Sequence, residues 1–366
     1  MKILVIFLYI LLGLNVRYHV LFCLACFAIL FFLLFRKGYK LLAILGLALG
    51  LAAIGISFIK IDITQDSYSG LVIESRDSYF ILLSKFEKIY VSNSNNTYEI
   101  GDYLTIKGPK VDFDFEVIES SFDFGEYLNK KGIYYQIKYP KNIIENHLTI
   151  FRLREVKKNF LSHFNDETAS LIKSMLFGEN DRSSLNQNIA ALQLGRLLSI
   201  GGIYIYIFLG ILNYLFGLMM KDKWAKALSF FFLSFYLVFT FPKFSIIKIA
   251  FIYILKWIND YLLKKRFTYL EILGFSGLLF LVIDFHLANQ DSFILGYTIP
   301  LLTYIVNNSF TIKNKILKKL FISFVVLIFF VPLQISYYHE LNLLAFIYQI
   351  IFTPIFIGYA LIALLC

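Results

Sequence analysis

Three positively charged residues lie inside long apolar stretches of the chain, where a charged side chain is costly and often functional. These residues are Arg196, Lys248 and Lys256. A cation at membrane depth can neutralise an anion that crosses the apolar layer, whereas a lysine near a helix end can simply extend to the membrane surface. We expect surface extension for Lys256, and both interpretations stay open for Lys248. Arg196 is our main candidate for an anion path, because apolar residues flank it on both sides.

Small residues interrupt the longest apolar stretch, at about residues 190–219. Ser199, Gly201 and Gly202 would allow two helices to pack closely. Alternatively, they would break the helix and expose backbone groups to a cavity. A stretch of about 30 residues is long for one straight crossing of a bilayer, so we expect a break.

A polar cluster follows another apolar stretch near the position where a helix should end. Its members are Asp284, His286, Asn289, Gln290 and Asp291. Connections between helices usually run over the surface, where water solvates their polar groups. We therefore expect a solvated loop to explain most of this cluster.

The composition indicates which elements must hold these residues. Hydrophobic residues make up 58% of the chain and charged residues 16%, whereas soluble domains contain about 25% charged residues. A spanning helix needs about 20 apolar residues. We predict a polytopic α-helical membrane protein, with three N-terminal spanning helices in residues 1–59 and about seven more in residues 189–366. The apolar segments lie at about 3–14, 20–35, 41–59, 190–219, 227–241, 245–262, 268–286, 293–309, 320–337 and 341–364.

Residues 60–150 have a different character, because short strand patterns replace the apolar stretches. The run VDFDFEV at 111–117 alternates apolar and acidic residues, as a strand with one solvated face does. Similar runs are YSGLVIES, SYFILLS, KIYVS and GDYLTIKG. Five short strands predict a small β-barrel of the OB type, although a small sandwich would give the same pattern. Ten Lys and Arg against fourteen Asp and Glu give this segment a net charge of −4, which argues against strong nonspecific nucleic-acid binding.

The basic loops predict how the chain is oriented. Arg36, Lys37 and Lys40 lie between the second and third apolar segments, and three later basic clusters alternate with loops that are poor in lysine and arginine. Cytoplasmic loops carry the excess of basic residues. We therefore expect a plasma-membrane protein with a cytoplasmic N-terminus and an extracellular domain at residues 60–150. The abundance of Phe, Tyr, Ile, Asn and Lys, with only six Pro, indicates an AT-rich bacterial genome. Residues 151–188 are predicted to form amphipathic and linking helices.

Six segments, in order along the chain, resemble the ComEC-type competence protein family, whose members form the inner-membrane channel for single-stranded DNA in natural transformation. The segments are FDFGEYLNKKGIYY (122–135), SLIKSMLFGENDRSSL (170–185), LGRLLSIGGIYI (194–205), FSIIKIAFI (244–252), NQDSF (289–293) and YQIIFTP (348–354). The resemblance implies a DNA-uptake channel component in which a single strand passes through the helix bundle. The implied DNA-path residues are Arg196, Ser199, Gly201, Gly202, Tyr204, Lys248, Gln290 and Ser292.

The chain also departs from the family pattern. Arg196 and Tyr204 stand where the family has two histidines, Gly201 where it has a serine, and Lys248 where it has an arginine. Many members continue into a metallo-β-lactamase-like nuclease domain, but the sequence has no His-x-His-x-Asp-His run. We expect a short form that is not an enzyme and has no catalytic residue, metal or cofactor.

The resemblance implies several partners besides single-stranded DNA and the lipid bilayer. These are a DNA receptor, a cytoplasmic motor ATPase, a separate nuclease and further copies of the chain. No nucleotide-binding loop of the Walker type occurs in the sequence, so the motor would be another protein. Two alternatives stay open from the residues alone: a transporter for a small anionic solute, and a membrane homologue that no longer transports anything.

Overall fold

The computed structural model divides the chain into two compact units. One contains residues 1–154 and 273–291, and the other contains residues 155–272 and 292–366. The residues that the structure describes are 2–60, 62–76, 78–92, 98, 100–113, 123–138, 140–146, 159–177, 183–191, 201–240, 244–310, 314, 317–318, 321–322, 324–326, 328–329, 331 and 345–365.

Three apolar helices begin the first unit: α1 (Lys2–Asn15), α2 (Val20–Arg36) and α3 (Lys40–Ser57). Helix α3 has a mean hydropathy of 2.1 and, among the described residues, is the one helix both long and apolar enough to cross a membrane. Helices α1 and α2 are apolar but shorter. The buried face of α3 consists of small residues at helical spacing, namely Ala43, Gly46, Gly50, Ala53 and Ser57. Such a face lets the backbones of neighbouring helices approach closely.

A mixed β-sheet follows these helices. Its strands are β1 (Tyr68–Ser75), β2 (Tyr79–Ser84), β3 (Glu87–Ser92), β4 (Tyr103–Lys107), β5 (Lys110–Asp112), β6 (Ile133–Ile137) and β7 (Lys141–Asn146), with helix α4 (Phe124–Lys130) before β6. The strand order is β5-β6-β3-β2-β1-β4-β7. Strands β3 and β6 pair in parallel and all other pairs are antiparallel. One apolar core of the sheet consists of fully buried side chains, which include Val72, Phe80, Leu82, Ile89, Leu104 and Ile106.

All five predicted strands occur in the sheet, but the predicted closed barrel does not. The described residues form seven strands in an open order. The two strands that were not predicted are β6, which lies between β5 and β3, and β7, which lies at the edge beside β4. Strand β5 ends at Asp112, which is earlier than the alternating pattern predicted, and residues 114–117 of that pattern lie outside the described part.

The turn between β2 and β3 has an uncommon backbone. Ser84 pairs with Glu87, so Lys85 and Phe86 form a two-residue loop, and their φ angles are 45° and 71°. Two-residue hairpin loops of this kind normally carry Asn-Gly, since L-residues with large side chains are strained at positive φ.

Replacing Lys85 by Asn should therefore stabilise the chain. We expect the free energy of unfolding to rise by about 1 kcal/mol, because asparagine adopts the left-handed backbone at less cost than lysine. Thermal unfolding of the full chain in detergent measures the change. An unfolding temperature below that of the wild type would show that the turn is not strained.

The second unit is helical where the structure describes it. Its helices are α5 (Asp166–Ile172), which continues as a π-helical turn at Lys173–Phe177, α6 (Ser184–Ala191), α7 (Gly201–Met219), α8 (Asp222–Thr240), α9 (Phe244–Tyr261), α11 (Asp291–Ser309) and α12 (Ala345–Leu365). Helix α10 (Tyr269–Ile283) ends in the first unit, and a 3-10 turn at Phe285–Asn289 follows it.

Helices α7, α8 and α9 pack around one apolar core. It contains Ile205 and Leu209 of α7, Leu233 of α8 and Ile246 and Ile249 of α9. This packing positions one face of α9 against its neighbours. Helix α7 begins at Gly201, while the rest of the predicted break, residues 192–200, lies outside the described part.

Candidate functional site

Lys248 is the predicted path residue whose surroundings the structure describes in detail. It lies in the second turn of α9, and its half-buried side chain reaches α11. The Nζ atom donates a hydrogen bond of 2.8 Å to the carbonyl oxygen of Gly296 and lies 5.6 Å from the ring centroid of Tyr297. Neither contact carries a formal negative charge. The ammonium is therefore held in place without being neutralised by these two groups.

Gly296 provides the space for this ammonium. A Cβ atom at position 296 would lie 2.7 Å from the Nζ atom of Lys248, which is closer than carbon and nitrogen can approach without a shift. Any larger residue would push the end of the lysine side chain away from the Gly296 carbonyl. The identity of residue 296 thus determines where the positive charge lies.

Aromatic residues join α9 to α11 beside Lys248. The ring of Phe293 lies 5.2 Å from that of Phe244 and 4.7 Å from that of Tyr297, measured between centroids. Phe293 is fully buried. Rings in such tilted arrangements contribute about 0.5–1.5 kcal/mol beyond their area burial. They hold the two helices in the register that Lys248 needs.

The other predicted path residues are described to different extents. Arg196 and Ser199 lie outside the described residues. Gly201, Gly202 and Tyr204 form the first turn of α7, where the backbone alone is described. Gln290 is half-buried at the end of the 3-10 turn, and its backbone N–H donates to Leu287. Ser292 is exposed in the first turn of α11.

Lys256 lies eight residues after Lys248 on the same helix. Its side chain is exposed, whereas Ile252 between the two lysines is buried. This exposure makes Lys256 a matched control for Lys248 on the same helix.

The region that carries Lys248 also decides the family. Residues 175–366, just over half of the chain, match a family model described as Competence protein. The chain belongs to the competence protein family. This membership supports a role in competence, the uptake of DNA, and an association with the membrane. Comparison of this competence protein with curated proteins and with solved structures gave no match.

A second polar site of the competence protein lies in the first unit, and sequence analysis missed it. His286 is buried rather than solvated, so the expected loop is wrong for this residue. Its Nε2 atom lies 3.1 Å from the hydroxyl of Tyr134, and its Nδ1 atom lies 3.2 Å from the carboxylate of Asp284. Asp284 also accepts a hydrogen bond of 2.5 Å from Lys88. We call Lys88, Tyr134, Asp284 and His286 the junction cluster.

The junction cluster connects the sheet to the ends of three helices. Asn15, the last residue of α1, donates a hydrogen bond of 2.9 Å to the carbonyl of Ala288 in the 3-10 turn. Arg17 donates one of 3.3 Å to the carbonyl of Ser57, the last residue of α3. Asp284 directly follows α10. Arg17 also donates a hydrogen bond of 3.5 Å to the Tyr134 hydroxyl, so the carboxyl ends of α1, α3 and α10 meet beside strands β3 and β6 of the sheet.

The environment of Asp284 predicts that the stability of the competence protein depends on pH. Burial alone would raise the pKa of its carboxyl, but the hydrogen bonds from His286 and Lys88 outweigh burial and lower the pKa from 3.8 to about 2. A carboxyl whose pKa is depressed in the folded chain stabilises the fold above its unfolded pKa. That contribution is lost as the pH falls from about 4 towards about 2.

Asp284→Asn should therefore lower stability in a way that depends on pH. Asparagine keeps the capping of the 3-10 turn but removes the charge. At pH 7 we expect the free energy of unfolding to fall by on the order of 2 kcal/mol, with the difference from wild type shrinking below pH 4. Thermal unfolding in detergent across this pH range measures it. An equal difference at every pH would exclude the charge as the cause.

Proposed function

We propose that this competence protein is a channel component of the plasma membrane that passes single-stranded DNA into the cell during natural transformation. The observation that best supports the proposal is Lys248, a cation in an apolar helix of the family-matched region that contacts a carbonyl and an aromatic ring. A cation held in this way can exchange the carbonyl for a phosphate oxygen.

The physical requirement for such a path is charge compensation. Each nucleotide brings a negative phosphate into a layer of low dielectric constant, where an uncompensated charge is expensive. The Lys248 ammonium offers a compensating charge, and the neighbouring Tyr297 ring offers a face on which a base can stack. Because a lysine acts as a compact point charge, it can release one phosphate and accept the next.

The remaining members of the proposed path follow from the family resemblance. They are Arg196, Ser199, Gly201, Gly202, Tyr204, Gln290 and Ser292. The small residues would leave room for the strand beside α7, and Arg196 would supply a second positive charge. The driving force and the hydrolysis of the other strand are assigned to partner proteins, a motor ATPase and a nuclease.

The proposal includes a multi-pass topology with a cytoplasmic N-terminus. Support comes from the helix ends, because α1, α3 and α10 all end beside the sheet and α2 begins five residues after Asn15. Arg36, Lys37 and Lys40 lie at the opposite ends of α2 and α3. Basic loops face the cytoplasm. The sheet would then lie outside the cell.

We also propose that the extracellular sheet is OB-like. Strands β4 and β5 are separated only by Gly108 and Pro109, yet β4 pairs with β1 and β5 pairs with β6. Taken as one bent stretch of chain, they pair with the strands at both ends of the order β1-β2-β3-β6, and this connectivity supports an OB-like sheet. The acidic net charge of this segment favours a structural role at the entrance over strong DNA binding.

Uptake of labelled DNA by a deletion strain tests the proposal. We expect deletion to abolish the nuclease-protected label inside the cells while DNA still binds at the surface, and the wild-type gene to restore it. Unchanged internalisation in an otherwise competent deletion strain would refute the proposal. If the wild-type gene restores the uptake of a small anion in the deletion strain but does not change the uptake of DNA, a solute transporter is favoured instead.

A further inference from the structure

The tip of the β2–β3 hairpin combines two features that are unfavourable in an isolated domain. Phe86 is 89% exposed, so that an apolar ring is left in water. Both Lys85 and Phe86 also adopt a left-handed backbone, which glycine or asparagine would adopt with less strain. The left-handed backbone and the exposure to water would each favour other residue types at positions 85 and 86. Such a mismatch is typical of a position that contacts another molecule.

Two side chains beside the tip tie it to the ends of apolar helices. The buried carboxylate of Glu87 accepts a hydrogen bond of 3.3 Å from the backbone N–H of Ile63, which lies six residues after the end of α3. Lys88 forms the 2.5 Å ion pair with Asp284, the residue directly after α10. Lys88 therefore fixes the hairpin tip beside the end of α10, and Glu87 binds the chain segment that follows α3.

Those helix ends also expose large apolar side chains. Phe58 and Ile59 follow α3 and are 59% and 51% exposed, and Val282 and Ile283 at the end of α10 are 83% and 78% exposed. When these helices span a bilayer, apolar side chains at their ends lie in the lipid close to the headgroups. The Lys88–Asp284 ion pair places the hairpin tip beside the end of α10.

We propose that Phe86 inserts into the outer surface of the lipid bilayer while the Lys85 ammonium contacts lipid phosphates. The hairpin tip then holds the extracellular domain against the membrane. Aromatic rings favour this interfacial depth, and lysine beside them binds anionic headgroups. The proposal rests on the membrane topology of the proposed function, but it does not require that DNA is transported.

Depth-dependent fluorescence quenching in nanodiscs tests this anchor. Phe86→Trp is introduced into a full chain in which Trp224 and Trp257 are replaced by Phe, and brominated phospholipids serve as quenchers. The matched control is Ser78→Trp, because Ser78 is exposed at the other end of β2, about 20 Å along the strand. A third chain with Phe32→Trp in α2, where Phe32 is 63% exposed, reports on insertion of the helices.

We expect the tryptophan at position 86 to be quenched about threefold more strongly than the one at position 78, with emission at a shorter wavelength. Equal quenching at positions 86 and 78, together with strong quenching at position 32, would overturn the anchor and leave the membrane topology intact. Absence of quenching at position 32 would refute the topology itself. If oligo(dT), rather than lipid, changes the emission at position 86, the tip is a base-stacking surface and the lipid proposal is wrong.

Discussion

Lys248→Met should lower the amount of internalised DNA about tenfold or more, because a charged hydrogen bond to a phosphate contributes about 1.5–3 kcal/mol and each 1.4 kcal/mol is a factor of ten. Methionine has nearly the same length as lysine and fits an apolar helix, so insertion and folding should persist. The measurement is nuclease-protected label in the complemented deletion strain, normalised to the amount of protein in the membrane.

The control for this prediction is Lys256→Met on the same helix. Lys256 is exposed, so its loss should change internalisation by less than about twofold, as is usual for an exposed charge. If both variants lose uptake equally, the loss reflects net charge in α9 and not a path at Lys248. If neither variant loses uptake, Lys248 does not lie on the DNA path.

Gly296→Ala tests whether uptake depends on where the Lys248 ammonium lies, and not only on whether the charge is present. The added Cβ displaces the Lys248 ammonium from the Gly296 carbonyl while lysine and its charge remain. We expect a partial loss of uptake, smaller than that of Lys248→Met. Wild-type uptake in this variant would mean that the ammonium works equally well from a different position.

The largest effect on stability is expected for Gly132→Ala in the first unit. Gly132 has a φ of 77°, and a Cβ there would lie 2.5 Å from the ring of buried His286. Alanine must therefore adopt a strained backbone and displace the ring from Tyr134. We expect a loss of about 3 kcal/mol, of which roughly 1 comes from the backbone and the rest from the displaced hydrogen-bonded ring.

Thermal unfolding in detergent tests this prediction with two comparisons. Gly55→Ala in α3 is the matched control, because a Cβ at Gly55 meets nothing within 4 Å and alanine favours the helix. In a His286→Ala background the clash with the ring is removed. Gly132→Ala should then lower the free energy of unfolding by only the roughly 1 kcal/mol that comes from the backbone. Equal costs in both backgrounds would show that His286 is not the reason for the glycine.

The sequence predicted the local structure best. Short runs at residues 68–75, 78–84 and 88–92, separated by clusters of Asn, Gly, Ser and Asp, predicted β1 to β3. Strand β6 was missed because its residues IYYQI do not alternate: Ile133, Tyr134, Gln136 and Ile137 are all buried. A strand covered on both faces cannot be recognised by a period of two.

The candidate sites could be predicted only in part, because their partners are distant in sequence. Lys248 stood out as a cation in an apolar run, but nothing in its neighbourhood pointed to Gly296, 48 residues away. Gly132 follows the end of α4 as a helix-terminating glycine commonly does. Its contact with His286, and the pairing of Asp284 with Lys88 across 196 positions, arise only when the chain is folded.

Entry of single-stranded DNA into proteoliposomes tests the channel most directly. The purified chain is reconstituted with an inside-positive potential, which favours entry by about 2.3 kcal/mol per negative charge per 100 mV. We predict nuclease-protected labelled oligonucleotide in vesicles that contain the wild-type chain, and about tenfold less with Lys248→Met. Protection no greater than in protein-free vesicles, or passage of small anions alone, would contradict the account.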